Sequence, residues 1–382
     1  MTADTADTAD TAALRRALAD QIRGGGSLTD PAWGAAVEAV PRELFVDTAL
    51  YRPLGPSWDP VRRADIGKEE WLRLVYSDTT WVTQVDGTDA TDATAPLVGN
   101  PTSSSTLPSL VVRTLEVAGL KDGDRVLEIG TGTGYSTAVL CHRLGEKNVT
   151  SVEFDPSLAT SAAEHLRAAG YAPTLVTGDG LQGHHDGAEY DAVVATCAVR
   201  HIPRHWLWQV RDGGTITTTL SGWMLASGLI RLTLDDEGTA TGRFEGDKIS
   251  YMLARPHERP PRPMFHRVPG HARASRIDPG LLQNWTGLFL AQLAAPSAEF
   301  WNSGDKGDVV LADVATGSQA WTNSGEVHQH GPLRLWDQVE DALTTWQTAG
   351  SPDQTAFGMT VTDETQTVWL GNPDGPNWQL PA

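Results

Sequence analysis

Arg125 to Tyr135 reads R-V-L-E-I-G-T-G-T-G-Y, and this stretch decides the fold. Val126, Leu127 and Ile129 form a short apolar run suited to a buried parallel strand, with Glu128 interrupting it near its end. Gly130, Gly132 and Gly134 follow at alternating positions. Glycine admits positive φ and lets backbone approach a ligand closely. A helix is expected to open at Tyr135 or Ser136 and run through Ala138, Val139 and Leu140. Strand, glycine turn and helix N-terminus together predict a nucleotide-type site at the carboxyl end of a strand.

Similar units follow outward from that stretch. Val149, Val152 and Phe154 predict a second strand with Glu153 near its end, where an acidic side chain can accept hydrogen bonds from ribose hydroxyls. Pro156 to Ala169 reads as a helix, Thr174 to Val176 as a third strand closed by G-D-G at Gly178 to Gly180, and Tyr190 to Thr196 as a fourth strand. Dinucleotide-binding folds carry G-x-G-x-x-G. The pattern here is E-x-G-x-G-x-G, which resembles the first motif of S-adenosylmethionine (SAM) dependent methyltransferases. That resemblance implies a cofactor site of Glu128, Gly130, Thr131, Gly132, Gly134, Tyr135, Glu153, Phe154, Asp179 and Gly180, with S-adenosylhomocysteine as product and Asp179 at the adenine amino group. The expected fold is a doubly wound α/β methyltransferase domain with N-terminal helical elements and a C-terminal α+β extension.

Composition sets the outer limits. The length of 382 residues allows two domains. A net charge of −19 argues against nucleic acid or an anionic membrane as the main partner. Cys141 and Cys197 are the only cysteines and form neither a disulfide framework nor a zinc pattern. His328 and His330 flank Gln329 without further ligands, so no metal site is expected. No apolar run reaches the ~20 residues of a membrane span, and no signal peptide is read, so a cytoplasmic location is expected.

Along the chain, residues 1–12 open on a T-A-D repeat and are expected to be a disordered tail. Residues 13–105 are expected to be a helical and substrate-site region, containing an amphipathic helix over Ala13 to Ile22 and a second helix capped by Thr29 or Asp30. Residues 51–75 resist assignment, and Asp86 to Ala95 reads as a mobile polar loop. The methyltransferase core is placed at 106–254, with a helix over Val199 to Val210, a turn at Asp212 to Gly214 leading into a strand, and a hairpin across Asp235 to Gly238. R-P-H-E-R-P-P-R-P gives a linker at 255–264, or a strap packed on the core. The extension at 265–382 holds seven of the fourteen tryptophans, a helix over Leu333 to Ala349 and a hairpin over Phe357 to Leu370. Those aromatics suit a core, or a peptide-binding surface where Trp concentrates, and the extension is expected to recognise the substrate peptide.

Several stretches resemble protein L-isoaspartate O-methyltransferases: A-V-E-A-V-P-R-E-L-F-V (Ala36 to Val46), Y-S-D (Tyr76 to Asp78), the glycine turn, G-D-G-L-Q-G (Gly178 to Gly183), Y-D-A-V-V-A-T and H-I-P (His201 to Pro203). The resemblance spans roughly residues 15–250 and implies methylation of a peptide carboxylate, whose ester then closes to a succinimide. The family's T-I-S-x-P is replaced by S-S-T-L-P at Ser104 to Pro108, putting Thr106 at the serine's position. Thr106, Ser104 and Ser105 are therefore the candidate catalytic hydroxyls, with a polar loop or helix cap as the alternative reading. An aspartate is already ionised at pH 7, with a pKa of about 3.9, so the work is alignment rather than base catalysis.

The departure, together with a tail that the family's repair enzymes are expected to lack, resembles the branch that tailors ribosomally made peptides such as lanthipeptides, lasso peptides and graspetides. The implied partner is a precursor peptide already crosslinked or cyclised, whose ordinary aspartate becomes an aspartimide. Two alternatives are isoaspartate repair and a non-catalytic peptide-binding protein on the same fold. The sequence carries no signal for oligomeric state.

Overall fold

The computed structural model describes residues 7–260, 266–303 and 308–381. The chain forms two compact units: one takes residues up to Thr196 with Gln209–Gly214, and the other Cys197–Trp208 with Thr215 onward.

The first unit begins with α1 (Asp7–Gly24) and α2 (Pro31–Ala39). Helix α1 starts inside the segment expected to be a disordered tail, whose first six residues lie outside the described ones. Asp30 caps α2 by accepting from the Ala32 N–H, and Pro31 occupies the first turn, where its missing N–H costs nothing. Trp33, Ala36 and Val37 bury the inner face of α2.

An antiparallel sheet follows where helical structure was expected. Its strands are β1 (Ala49–Leu54), β2 (Ser57–Arg62), β3 (Trp81–Val85), β4 (Thr88–Asp89) and β5 (Pro101–Ser105), in the order β2-β1-β3-β4 with β5 also on β3. Between β2 and β3 lie α3 (Arg63–Ile66) and α4 (Lys68–Val75). The run 86–95 is not a free loop: Ala90 and Ala93 are buried against Tyr51, Val82 and Val85. Alanine is small enough to enter that core, so the polar composition of the run concealed two core positions.

The remainder of this unit alternates strand and helix: α5 (Pro108–Ala118), β6 (Val126–Ile129), α6 (Tyr135–Leu144), β7 (Val149–Glu153), α7 (Pro156–Ala168), β8 (Thr174–Thr177) and β9 (Tyr190–Val199). The strands are parallel in the order β9-β6-β7-β8. The chain therefore leaves β6 on one side towards β8 and returns on the other side as β9. Such a reversal opens a crevice at the carboxyl ends of β6 and β9.

The second unit contains α8 (Arg204–Leu207), the part of β10 (Val210–Leu220) from Thr215 onward, β11 (Gly228–Leu234), β12 (Ala240–Phe244), β13 (His271–Ala274), α9 (Trp285–Ala294), β14 (Ala298–Asn302), β15 (Val309–Asp313), β16 (Gln319–Asn323), β17 (Glu326–His330), α10 (Leu335–Thr348), β18 (Phe357–Val361), β19 (Gln366–Leu370) and β20 (Asn377–Gln379). Both expected hairpins form, with Leu234 opposite Ala240 and Val361 opposite Gln366. The expected helix over Val199 to Val210 shrinks to α8, and β10 runs through the expected turn because Gly213 takes a positive φ of 73° within the strand. His328 and His330 lie in β17, and His328 stacks on Trp321 with ring centroids 3.8 Å apart.

The extension is not a separate domain behind a linker. β18 pairs with β12, from Ala240 opposite Val361 to Arg243 opposite Gly358, so residues from both sides of the proline-rich stretch build one sheet. Within that stretch His257 is buried, and residues 261–265 lie outside the described ones. A second sheet, β13-β17-β16-β15-β14, completes the unit. Trp336, Trp346 and Trp369 are core residues, while Trp285, Trp301, Trp321 and Trp378 are half-buried. No helix among the described residues is long and apolar enough to cross a membrane.

Candidate active site

The glycine turn closes β6 with three left-handed residues, Gly130 at φ 97°, Gly132 at 55° and Gly134 at 91°. A side chain is strained at such angles. Gly134 is also close-packed, because a Cβ there would meet Leu166 and Phe45 at 3.4 Å. Thr196 on β9 fastens the start of the turn by donating its hydroxyl to the Gly130 carbonyl at 2.6 Å.

Glu153, at the end of β7, accepts from the Gly132 N–H at 2.8 Å and from the Asp155 N–H at 3.0 Å. These bonds fix the orientation of the carboxylate at the end of β7. Phe154 beside it is 47% exposed, a bare aromatic face next to a carboxylate. Asp179 caps the short turn that follows it by accepting from the Leu181 N–H at 2.9 Å. Gly180 packs on the end of β6, where a Cβ would come within 2.5 Å of Ile129. Gly130, Gly132, Glu153, Phe154, Asp179 and Gly180 thus gather at the carboxyl ends of β6, β7 and β8.

The other expected cofactor residues are placed in the interior. Glu128 is fully buried and accepts from the hydroxyls of Ser136 at 2.5 Å, Thr137 and Ser151 at 2.7 Å. Burial raises its carboxyl above the usual range, against the three hydroxyl bonds that lower it. It ties the first turn of α6 to the sheet instead of lining a pocket. Thr131 belongs to the same network through Ser151 at 2.6 Å. The Tyr135 ring is buried between Phe45 and the Arg42 guanidinium, and burial pushes its phenol up to about 12. Apolar runs do not reveal that Ser136, Thr137 and Ser151 would consume Glu128, although hydroxyls beside a buried acid were a usable signal.

The structure separates the three candidate hydroxyls. On β5 side chains alternate, so Ser103 and Ser105 point inward while Ser104 remains half-buried. Ser105 is 1% exposed and its Oγ accepts from Arg42 at 3.3 Å, which removes it from the catalytic set. Thr106 is also half-buried, and neither its hydroxyl nor that of Ser104 has a hydrogen-bond partner among the described residues. The helix-cap alternative fails for Thr106: Leu107 is the cap residue of α5, and Asp78 takes the Ser109 N–H at 2.9 Å instead. The Ser104 carbonyl lies 3.9 Å from a Cβ placed on Gly132, so this strand end borders the glycine turn.

Two residues escaped the sequence reading. Arg42 is fully buried and donates to the carbonyls of Val75, Ser77, Thr79, Ser105 and Thr106 at 2.7–3.3 Å. It fixes the strand end that carries Thr106, and burial lowers its own pKa to about 10. His165 on α7 bonds the Thr133 carbonyl through Nδ1 at 3.1 Å and Asp47 through Nε2 at 3.0 Å. Both partners are acceptors, so only the imidazolium can donate to both. Burial opposes that charged form, but the bond to Asp47 and the other acceptors outweigh it and raise its pKa.

The sequence profile of the protein-L-isoaspartate(D-aspartate) O-methyltransferase family matches residues 72–221. A protein-L-isoaspartate O-methyltransferase of Ignicoccus hospitalis is 34% identical over 181 residues, covering 47% of this chain and 68% of that one. The enzyme called protein-L-isoaspartate O-methyltransferase 1 in Rhodopseudomonas palustris is 33% identical over 223 residues, covering 58% and 75%. The chain belongs to the protein-L-isoaspartate O-methyltransferase family. It is a SAM-dependent carboxyl methyltransferase by that membership. A solved structure called protein-L-isoaspartate O-methyltransferase superposes with a TM-score of 0.55 at 20% identity, covering 94% of this chain and all of its own. The match reaches into the second unit, so a long C-terminal region does not by itself set this chain apart from that structure, contrary to the expectation from sequence. The residues gathered at the turn fit SAM: close backbone approach at Gly130 and Gly132, an oriented carboxylate at Glu153 and an exposed ring at Phe154.

Proposed function

We propose that this protein methylates the side-chain carboxylate of an aspartate in a constrained, ribosomally made peptide, and that the ester then closes to an aspartimide. The observation carrying this reading is the free hydroxyl of Thr106, held at the glycine turn's border by the Arg42 bonds. A threonine keeps the orienting hydroxyl of the family's serine and adds a methyl group, which narrows the site around the incoming carboxylate.

Gly130, Gly132, Glu153, Phe154, Asp179 and Gly180 hold SAM, which supplies an activated methyl group. Thr106 and Ser104 donate hydrogen bonds that fix the carboxylate's orientation. A hydroxyl does this without pairing off the negative charge as a lysine or arginine would. The carboxylate is ionised already, so no general base is needed. After transfer, the backbone nitrogen of the following residue attacks the ester carbonyl, loses its proton and expels methanol. That closure depends on the peptide's geometry, which a crosslink restricts.

A second reading, repair of isoaspartate in damaged proteins, fits the names of the relatives. One experiment separates the two. The full chain is incubated with methyl-labelled SAM and two peptide pools, lactone-crosslinked peptides with one aspartate and linear peptides with one isoaspartate. Label on the crosslinked aspartates, followed by methanol release and loss of one water from the peptide, is expected. Label confined to the linear isoaspartyl pool would establish repair instead.

A further inference from the structure

We propose that Arg200, stacked on Trp223 in the second unit, is a carboxylate-binding site that takes an acidic side chain of the peptide other than the one that is methylated. This rests on the reading of the substrate as a peptide and names its chemistry: it carries a second carboxylate.

Arg200 follows β9 directly and precedes the H-I-P segment, to which the donor site gives no task. Its guanidinium lies 3.7 Å from the Trp223 ring centre. Nη2 donates to the Pro296 carbonyl at 2.9 Å. Its backbone N–H donates to His257 Nδ1 at 3.1 Å, so that nitrogen carries no proton. Trp223 in turn donates its indole N–H to the His257 carbonyl at 3.0 Å. The guanidinium is thereby held by two neighbours, Trp223 and the Pro296 carbonyl, neither of them acidic.

No carboxylate pairs with Arg200 among the described residues. The groups around it are also basic or neutral. His201 sits edge-on to His257 with ring centroids 4.5 Å apart, and burial, then Arg200 and Arg204, lower the His201 pKa. Burial, His201 and Arg200 lower that of His257 to about 3. Both rings favour the neutral form beside the Arg200 charge.

A half-buried guanidinium without a counter-ion has lost hydration without recovering it in a pair. Five N–H donors in a planar fork match one carboxylate bidentately, and stacking on an aromatic face pre-organises that fork. A polyanion such as nucleic acid would meet the chain's overall negative charge of −19, whereas a single carboxylate needs only this local cation.

The test uses the full chain with 15N-labelled tryptophan, following the Trp223 indole resonance, identified from a Trp223→Phe spectrum. The probes are the capped tripeptides acetyl-Asp-Asp-Asp-amide and acetyl-Asn-Asn-Asn-amide. The aspartyl probe should shift the resonance saturably and the asparaginyl probe should not. Arg200→Gln should weaken the aspartyl probe about tenfold or more, and Arg200→Lys, which keeps the charge without the fork, about threefold. Equal responses to both probes, or undiminished binding in Arg200→Gln, would show Arg200 to be a structural strut. If Arg200→Gln does not fold by circular dichroism, Arg200→Lys decides, and wild-type affinity there overturns the bidentate site. Probe binding by a protein that methylates neither peptide pool would remove the proposed function and leave this site standing; methylation without probe response would do the reverse.

Discussion

Glu128 beneath the glycine turn and Glu340 on α10 are both fully buried glutamates, yet they are held by opposite chemistry. Glu128 is surrounded by hydroxyls from Ser136, Thr137 and Ser151. Glu340 is clamped by Arg273 at 2.7 and 3.0 Å and by Arg276 at 2.7 Å, with the Arg276 N–H at 2.8 Å. Burial alone raises both carboxyls. Hydroxyls offset this only in part, so Glu128 stays raised, whereas the arginines outweigh it and bring Glu340 down to about 2. A buried acid is therefore no sign of function by itself. What decides is whether its neighbours use it up, and in the first unit the groups left over lie at the rim of the turn.

The largest effect is expected where both partners are charged. Glu340→Gln strands two arginines, one of them half-exposed and able to relax, and should cost about 3 kcal/mol in chemical denaturation. The two acids should also give opposite pH slopes. Glu340 binds its proton more readily unfolded, so its contribution is complete above the unfolded carboxylate range and is lost as pH falls towards about 2. Glu128 binds its proton more readily folded, so stability from that group falls as pH rises from the unfolded towards the folded pKa. Denaturation midpoints of Glu340→Gln and Glu128→Gln across pH would show it. Parallel curves would break the contrast.

The same distinction divides Ser105 from Thr106. Thr106→Val should lower the methylation rate about ten- to a hundredfold with unchanged melting temperature, the loss of one or two orienting hydrogen bonds. Ser105→Ala should retain most activity. The reverse outcome, with Ser105 required and Thr106 dispensable, would show that the alternation along β5 has been misread.

The smallest effect concerns His165. Its raised pKa means that its contribution is complete below the unfolded histidine value and is lost as pH rises through the folded value. Asp47, lowered chiefly by the His165 bond, contributes above the unfolded carboxylate range and loses that contribution as pH falls. Because Asp47 is largely exposed, His165→Leu should cost only about 1 kcal/mol, and less at alkaline pH than near neutrality. A difference that grows with pH in thermal melts would contradict the imidazolium assignment.

The parallel sheet was legible because its strands are apolar runs ending in glycine or acid, a signal local to each segment. The antiparallel sheet of the first unit was not. Pro53, Gly55 and Pro60 break any alternation over β1 and β2, and all six residues of β2 are half-buried. The supposed boundary at 255–264 failed because β12 meets β18 across more than a hundred residues, a pairing with no local trace. Arg42 was visible within P-R-E-L-F-V, but all but one of its partners are carbonyls, and backbone acceptors leave no mark in a sequence. The alternation of Ser103 to Thr106 was readable by period two and would have separated Ser105 from Thr106 in advance.

The proposed site for the methyl donor is the rim of the glycine turn. Calorimetry with S-adenosylhomocysteine on the wild type and on Glu153→Ala measures this directly. Removing that carboxylate deletes one or two charge-assisted hydrogen bonds and should weaken binding about tenfold or more. Unchanged affinity in a folded Glu153→Ala protein would contradict the account, because the carboxylate that accepts from the Gly132 N–H would then have no part in holding the cofactor.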